Sequence, residues 1–255
     1  MQANPQYFSH PVVQRDIKDI TVLEQSDSDI IVGTYPCTKY SPIADIHGTR
    51  TGDDLFLHFF RHIAIARPEM YIVENVPGMK KFKVVMEAMT KLPDYYVHVF
   101  CPVDAANWLP QRRQRLILVG TRKPFSIQAP KPLQRKPRIK DLLEKAPDVE
   151  IPSYVYKRIQ GGYRDLPIVV DPEQPNAYAP TCVAHYAKDL STRLVKDKRF
   201  PGGLRPFTIR EYARLQGFPD DFFFAPHRAS YKLIGNAVPV HMGGWVGAEA
   251  VRYFN

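Results

Sequence analysis

The chain has 255 residues, a formal net charge of +9 and a hydrophobic content of 44%. No apolar run approaches the roughly 18 residues of a membrane span, and the first residues lack the basic and apolar regions of a secretory signal. We therefore expect a cytoplasmic protein with no membrane partner. The three cysteines form no C-x-x-C pair, so we predict no metal site, while the positive charge favours a nucleic-acid partner.

The first part of the chain alternates short apolar strands with amphipathic helices. Strands are predicted at 29–33, 70–73, 95–100 and 116–119, and helices from residue 55 to Pro68 and over 82–92. This alternation is typical of an α/β fold, in which helices cover a mainly parallel sheet.

The character of the sequence changes twice further along. From about Lys123 to Arg205, Pro, Lys and Arg are frequent and periodicity is lost. Thr208 and Glu211 then predict a capping box, Gly217 a helix end, and 238–254 a last helix. We predict a first catalytic part at 1–120, a small basic domain at 121–204 and a C-terminal part at 205–255 that packs on the first.

Two reactive side chains follow neighbouring predicted strands. Cys37 lies on a Pro-containing loop after the first strand, and Glu74 follows the second. α/β sheets bind ligands beyond the carboxyl ends of their strands, so both residues are expected at one edge. Arg113 and Arg115 alternate before a strand and are expected to face one side. Taken alone, Cys37 is also compatible with a small buried cysteine, Glu74 with a solvated loop glutamate, and the two arginines with an ordinary basic loop.

Taken in order, these motifs resemble the C5-cytosine DNA methyltransferases. The resemblance covers most of 29–255 and rests on five motifs: Pro36-Cys37, Glu74-Asn75-Val76, Gln111-x-Arg113-x-Arg115, residues 205–220 and the Gly-Asn-Ala-Val-Pro motif at 235–239. It implies an S-adenosylmethionine-dependent methyltransferase (Rossmann-like) sheet, with residues 121–204 as a small, irregular target recognition domain.

The resemblance also implies roles for individual residues. Cys37 would attack carbon 6 of a cytosine flipped out of double-stranded DNA, and Glu74 would hold and protonate the ring at N3. Arg115 would contact the base carbonyl, and Arg113 would help to hold the nucleotide. S-adenosylmethionine would be the methyl donor. Its candidate contacts are Asp16, Ile17, Pro36 and Asn236.

The sequence departs from the family pattern at its front. The glycine-rich turn that cradles the cofactor is not recognisable, and the first matching element is Arg15-Asp16-Ile17. We therefore expect an N-terminally incomplete sheet. Three explanations stay open: a separate N-terminal polypeptide supplies the turn, the chain is a fragment, or residues 1–28 do this work differently. Thr38 stands where many members have Gln.

Three functions follow from these observations. The first is a DNA methyltransferase, prokaryotic or phage-encoded, acting alone or as one half of a split enzyme. The second is a DNA-binding remnant without activity. An RNA methyltransferase is less favoured, because no second cysteine follows the Glu74 loop and no Cys-Phe-Thr element is present.

Overall fold

A computed structural model of the chain describes two compact units. The described residues are 3–10, 12–22, 28–36, 55–163 and 165–255. The four-stranded unit comprises residues 10–104, 114–130 and 246–255, and the three-stranded unit comprises residues 1–9, 105–113 and 131–245. These units do not follow the predicted boundaries at 120 and 204, because residues 205–245 pack with residues 131–204.

The four-stranded unit is built on one sheet of order β1-β2-β4-β3. Its strands are β1 (Ile30–Gly33), β2 (Met70–Asn75), β3 (Tyr96–Asp104) and β4 (Gln114–Thr121). All four predicted strands are confirmed. β1 is parallel to β2, but β4 is antiparallel to both β2 and β3, so the prediction of a mainly parallel sheet was wrong. The short connection from β3 to β4 suffices for antiparallel strands, whereas β1 and β2 are joined through a helix, as parallel strands require.

Two helices cover one face of this sheet. They are α1 (Leu55–Ala66) and α2 (Lys83–Thr90), close to the predicted spans. Apolar residues recur on one face of each helix at intervals of three to four residues, which buries a continuous stripe. The resulting core contains Phe56, Phe59, Ile63, Val85 and Met89 from the helices and Tyr71, Val73, Leu116 and Leu118 from the strands.

The three-stranded unit contains the remaining elements. Its strands are β5 (Ile168–Val170), β6 (Arg193–Lys196) and β7 (Leu204–Pro206), with β5 parallel and β7 antiparallel to β6. Its helices are α3 (Ile139–Leu142), α4 (Ser153–Ile159), α5 (Ile209–Leu215) and α6 (Ala229–Asn236). The last helix, α7 (Val240–Phe254), begins here, and from Val246 onward it belongs to the four-stranded unit.

The last turns of α7 are tied to loops of the four-stranded unit. The Tyr253 hydroxyl donates to the Glu69 carboxylate at 3.2 Å, and the backbone N–H of Gln128 donates to Glu249 at 3.0 Å. Within the part of the chain that the structure describes, no helix is long and apolar enough to cross a membrane.

A buried ion-pair network organises the start of α5. The Arg205 guanidinium is fully buried and donates to Asp197 at 2.7 Å and to both oxygens of Glu211 at 2.7 and 2.8 Å. Glu211 also accepts from the backbone N–H of Thr208, whose hydroxyl accepts from Glu211 N–H. The predicted capping box is thus confirmed. Gly217 follows α5 with φ of 83°, as predicted for a left-handed helix end.

We expect Arg205→Met to destabilise the protein by about 3–5 kcal/mol, because the buried Glu211 carboxylate would lose its counter-charge and Asp197 would keep only that of Arg199. The matched control is Arg214→Met, whose ion pair with Asp220 is much more exposed, and it should cost about 0–1 kcal/mol. Urea unfolding of the three proteins measures both values. Equal, small losses for the two variants would contradict a stabilising role for the network.

Candidate active site

The candidate site lies where β1 and β2 end. Because these strands are parallel and pair Gly33 with Val73, their carboxyl ends meet at one edge of the sheet. Thr34, Tyr35 and Pro36 continue from β1 at this edge. Cys37, the predicted nucleophile, lies outside the described residues, so its placement at this edge stays a prediction.

The structure brings Glu74 and Arg115 together. In the antiparallel pairing of β2 with β4, Glu74 lies opposite Ile117, and Arg115 is two residues from Ile117 on the same face. Arg115 is therefore the diagonal neighbour of Glu74. Its Nε lies 2.7 Å from Glu74 Oε1, and the two side chains are only 11% and 13% exposed. A carboxylate and a guanidinium are thus held side by side at the edge where β2 ends.

Asn75 holds the chain that leads to Cys37. Its side chain is 3% exposed, and Nδ2 donates to the backbone carbonyl of Tyr35 at 3.2 Å. Its Oδ1 accepts from the backbone N–H of Val76 at 2.9 Å. One amide therefore joins the loop after β1 to the loop after β2.

Arg113 has a different environment from Arg115. It lies in the three-stranded unit, is 2% exposed, and donates to the carbonyls of Cys182 at 2.6 Å, Gly235 at 3.0 Å and Ala237 at 2.9 Å. The two arginines, which alternation predicted to face one side, thus contact different partners. The reason is local: β4 begins at Gln114, so Arg113 precedes the strand whose geometry the prediction assumed.

Gln111 is a buried residue for which no role was predicted from the sequence. Its Oε1 accepts from Cys182 N–H at 2.9 Å, and its Nε2 donates to Leu215 O at 2.7 Å. Gly235 packs against the same stretch so closely that a Cβ there would lie 2.3 Å from the carbonyl carbon of Val183. Gln111, Arg113 and the Gly-Asn-Ala-Val-Pro motif are therefore parts of one interlocked core.

Three of the four predicted cofactor contacts line one cavity. Asp16, Ile17 and Pro36 surround a space of about 740 Å³ in the four-stranded unit, together with residues that the sequence did not single out. These additional lining residues include Val32, Tyr35 and Phe59. Phe59 also belongs to the buried core beneath α1. The fourth contact, Asn236, is exposed at the end of α6 in the three-stranded unit.

Arg61 fixes the segment that carries Asp16 and Ile17. Its guanidinium donates to the carbonyls of Ile17 and Ile20, both at 2.7 Å. The Asp16 side chain caps the short turn at Ile17–Asp19 by accepting from Lys18 N–H at 3.0 Å. The cavity therefore combines apolar and aromatic walls with one carboxylate on an anchored turn.

The other two cysteines are poor candidates for a nucleophile. Cys182 is fully buried, and burial raises the pKa of its thiol to about 12. Burial also raises the pKa of the Cys101 thiol. Because the thiolate is the reactive form, neither cysteine is activated, and Cys37 remains the candidate.

Known proteins match the chain along nearly its whole length. The sequence profile of C-5 cytosine-specific DNA methylases matches residues 2–251. The type II methyltransferase M1.ScrFI of Lactococcus lactis subsp. cremoris is 32% identical over 87% of this chain and 62% of its own length. The type II methyltransferase M.Sau96I of Staphylococcus aureus is 27% identical over 96% of this chain and 66% of its own length. The chain thus spans just under two-thirds of these relatives.

Solved structures show the same fold. The Entamoeba histolytica methyltransferase EhMeth superposes with a TM-score of 0.79, over 100% of this chain and 87% of that one, at 18% identity. The Dnmt2 methyltransferase of S. pombe gives a TM-score of 0.74 at 18% identity, over 100% of this chain and 88% of that one. The solved structures show the shared fold, and the sequence match over residues 2–251 shows that the chain belongs to the C-5 cytosine-specific DNA methylase family.

Proposed function

We propose that the protein transfers a methyl group from S-adenosylmethionine to carbon 5 of a cytosine flipped out of double-stranded DNA, with Cys37 as nucleophile. The Glu74–Arg115 pair is the observation that carries this proposal. It sits at the end of β2, at the sheet edge where the chain from β1 leads to Cys37. A carboxyl group, a guanidinium and a nearby thiolate are the groups that a cytosine ring needs for activation at carbon 5.

The chemistry explains the need for each group. The Cys37 thiolate adds to carbon 6, while Glu74 delivers a proton to N3, so that the electrons of the C5–C6 bond become available at carbon 5. Carbon 5 then takes the methyl group, and S-adenosylhomocysteine leaves. Return of the N3 proton to Glu74, loss of the carbon 5 proton and release of the thiolate restore the aromatic ring and the double bond.

Arg115 and Arg113 are given separate roles. Arg115 is close enough to Glu74 for both side chains to contact one bound cytosine ring. We propose that Arg115 donates to the carbonyl of the base, where negative charge would develop. Arg113 is assigned a positioning role, since its donors are used by the carbonyls of Cys182, Gly235 and Ala237. This differs from the direct contact with the nucleotide that the resemblance implied.

The residues around the four-stranded unit's cavity fit an adenosine group. Apolar Ile17 and Val32 and aromatic Phe59 suit the faces of a purine, and the Asp16 carboxylate suits an amino group. Bound there, S-adenosylmethionine would supply the activated methyl group. The glycine-rich turn of the family is not recognisable in these 255 residues, and a separate polypeptide that supplies it stays a proposal.

The first test is Cys37→Ser, which should abolish methyl transfer while leaving the affinity for duplex DNA within about threefold, because a hydroxyl is a far weaker nucleophile than a thiolate. The matched control is Cys101→Ser, which should keep full activity. Transfer of a tritiated methyl group to duplex DNA, in an assay where the wild type is active, gives the rates. A fully active Cys37→Ser variant would refute the mechanism.

Glu74→Gln should lower kcat by about 10²–10⁴ with little change in KM for DNA, since the amide can hydrogen-bond the ring but cannot protonate it. The control is Glu87→Gln, an exposed glutamate on α2, which should behave as the wild type. Steady-state kinetics separate the two parameters. A rise in KM at constant kcat would instead make Glu74 a binding residue only.

A further inference from the structure

One aromatic ring in the three-stranded unit is shared by two cationic side chains. The Arg112 Cζ lies 5.2 Å from the ring centroid of Tyr178, and the Lys136 Nζ lies 5.5 Å from the same centroid. Lys136 is held in place by hydrogen bonds to the Ala106 carbonyl at 2.7 Å and to the Tyr178 hydroxyl at 3.1 Å. A guanidinium and an ammonium are thus fixed around one platform, at the cost of mutual repulsion.

Neither cation has a carboxylate partner among the residues that the structure describes. This contrasts with Arg158, Arg199 and Arg214 of the same unit, each of which forms an ion pair at 3.2 Å or less. Within the described ranges, the Arg112 guanidinium also donates no hydrogen bond, and the residue is exposed to solvent. Two like charges arranged without a counter-charge favour an anionic ligand.

The backbone beneath Arg112 is rigid. The side chains of Gln111 and Arg113 on either side are buried and hydrogen-bonded, and Arg112 N–H donates to Ala179 O at 3.0 Å. The carbonyl of Arg112 accepts from the Thr181 hydroxyl at 2.7 Å. A guanidinium on such a fixed backbone loses less conformational entropy on binding than one on a mobile loop.

The guanidinium opens onto a small polar cavity. Arg112 and Tyr178 line a space of about 260 Å³ together with the amide side chains of Gln174 and Asn176. Asp171 also lines it, but its carboxylate is paired with Lys196 at 2.8 Å. Amide and guanidinium donors in one opening suit the oxygens of a phosphodiester.

We propose that Arg112 and Lys136, supported by Tyr178, bind backbone phosphates of the DNA duplex. The inference rests on the proposed function, and it names a site that the methylation chemistry does not require. Arg112 precedes Arg115 by three residues in the chain, so a phosphate held here anchors DNA to the same segment that enters the candidate active site. The site positions DNA without reading its sequence.

The test is the salt dependence of binding to a fluorescent 24-base-pair duplex of mixed sequence, measured by anisotropy. Each phosphate contact contributes about 0.9 to the slope of log K against log salt. The double variant Arg112→Gln/Lys136→Gln should lower the slope by about 1–2 and weaken binding about tenfold at moderate salt. The control is Arg138→Gln/Lys140→Gln, which removes the same charge from exposed residues that already have carboxylate partners. It should change the slope by less than about 0.5.

The outcomes separate this site from the proposed function. A wild type that binds no duplex DNA overturns both. A wild type that binds, with equal slopes for the test and control variants, overturns the phosphate site alone. A double variant Arg112→Gln/Lys136→Gln that loses affinity for duplex RNA of the same sequence, but keeps the wild-type affinity for duplex DNA, also overturns the phosphate site. Both variants should melt near the wild-type temperature, since none of the four side chains is buried. Such melting excludes unfolding as the cause of a changed slope.

Discussion

The pairing of β2 with both of its neighbours is the constraint on which the candidate site depends. The parallel pairing with β1 brings the chain toward Cys37 to the edge where β2 ends, and the antiparallel pairing with β4 sets Arg115 diagonally beside Glu74. A slip of one residue in the second pairing would turn Arg115 to the opposite face, where Val73, Leu116 and Leu118 form the core. The packing of that core thereby fixes the register, and the register fixes the ion pair.

The Gln-x-Arg-x-Arg element shows how residues two apart can serve different parts of one protein. Gln111 and Arg113 satisfy backbone groups around Cys182, Gly235 and Leu215 in the three-stranded unit. Arg115 instead pairs with a carboxylate in the four-stranded unit. Arg112, which lies between Gln111 and Arg113 in the chain, is exposed and can contact solvent or a ligand. Buried arginine and glutamine side chains that donate to several carbonyls are costly to replace, because each lost partner leaves a buried polar group unsatisfied.

Local rules predicted much of the fold and the motif residues. The apolar runs located all four strands of the first sheet, and the Thr208–Glu211 capping box and the Gly217 helix end follow from side-chain chemistry within a few residues. Strand direction was predicted wrongly because it depends on which strands pair, and β4 returns after β3 without a crossover helix. The hydrogen bonds of Arg113 and Gln111 also could not be predicted from the sequence, since their partners lie 69 to 124 residues away along the chain.

The boundaries of the two units likewise depend on contacts that local composition does not reveal. Composition marked a change near Lys123, but Arg205 pairs with both Asp197 and Glu211, so residues on the two sides of the predicted boundary at 204 form one packed core. Asp16, Ile17 and Pro36, which the resemblance implied as cofactor contacts, line the cavity of the four-stranded unit, and their contact with the cofactor stays a prediction. Phe59 was missed as a lining residue, because a helix spacing indicates burial and does not indicate what lies beside the buried ring.

The most direct test of the central claim is to capture the bond between Cys37 and cytosine. Duplex DNA prepared with 5-fluorocytosine in place of cytosine carries fluorine where a proton must leave, so the adduct cannot be released after methyl transfer. Incubation with the protein and S-adenosylmethionine, followed by digestion and mass spectrometry, should yield one modified peptide, in which Cys37 carries the methylated fluorocytosine nucleotide. Methyl transfer to ordinary DNA by a preparation in which 5-fluorocytosine DNA leaves Cys37 unmodified would contradict the account.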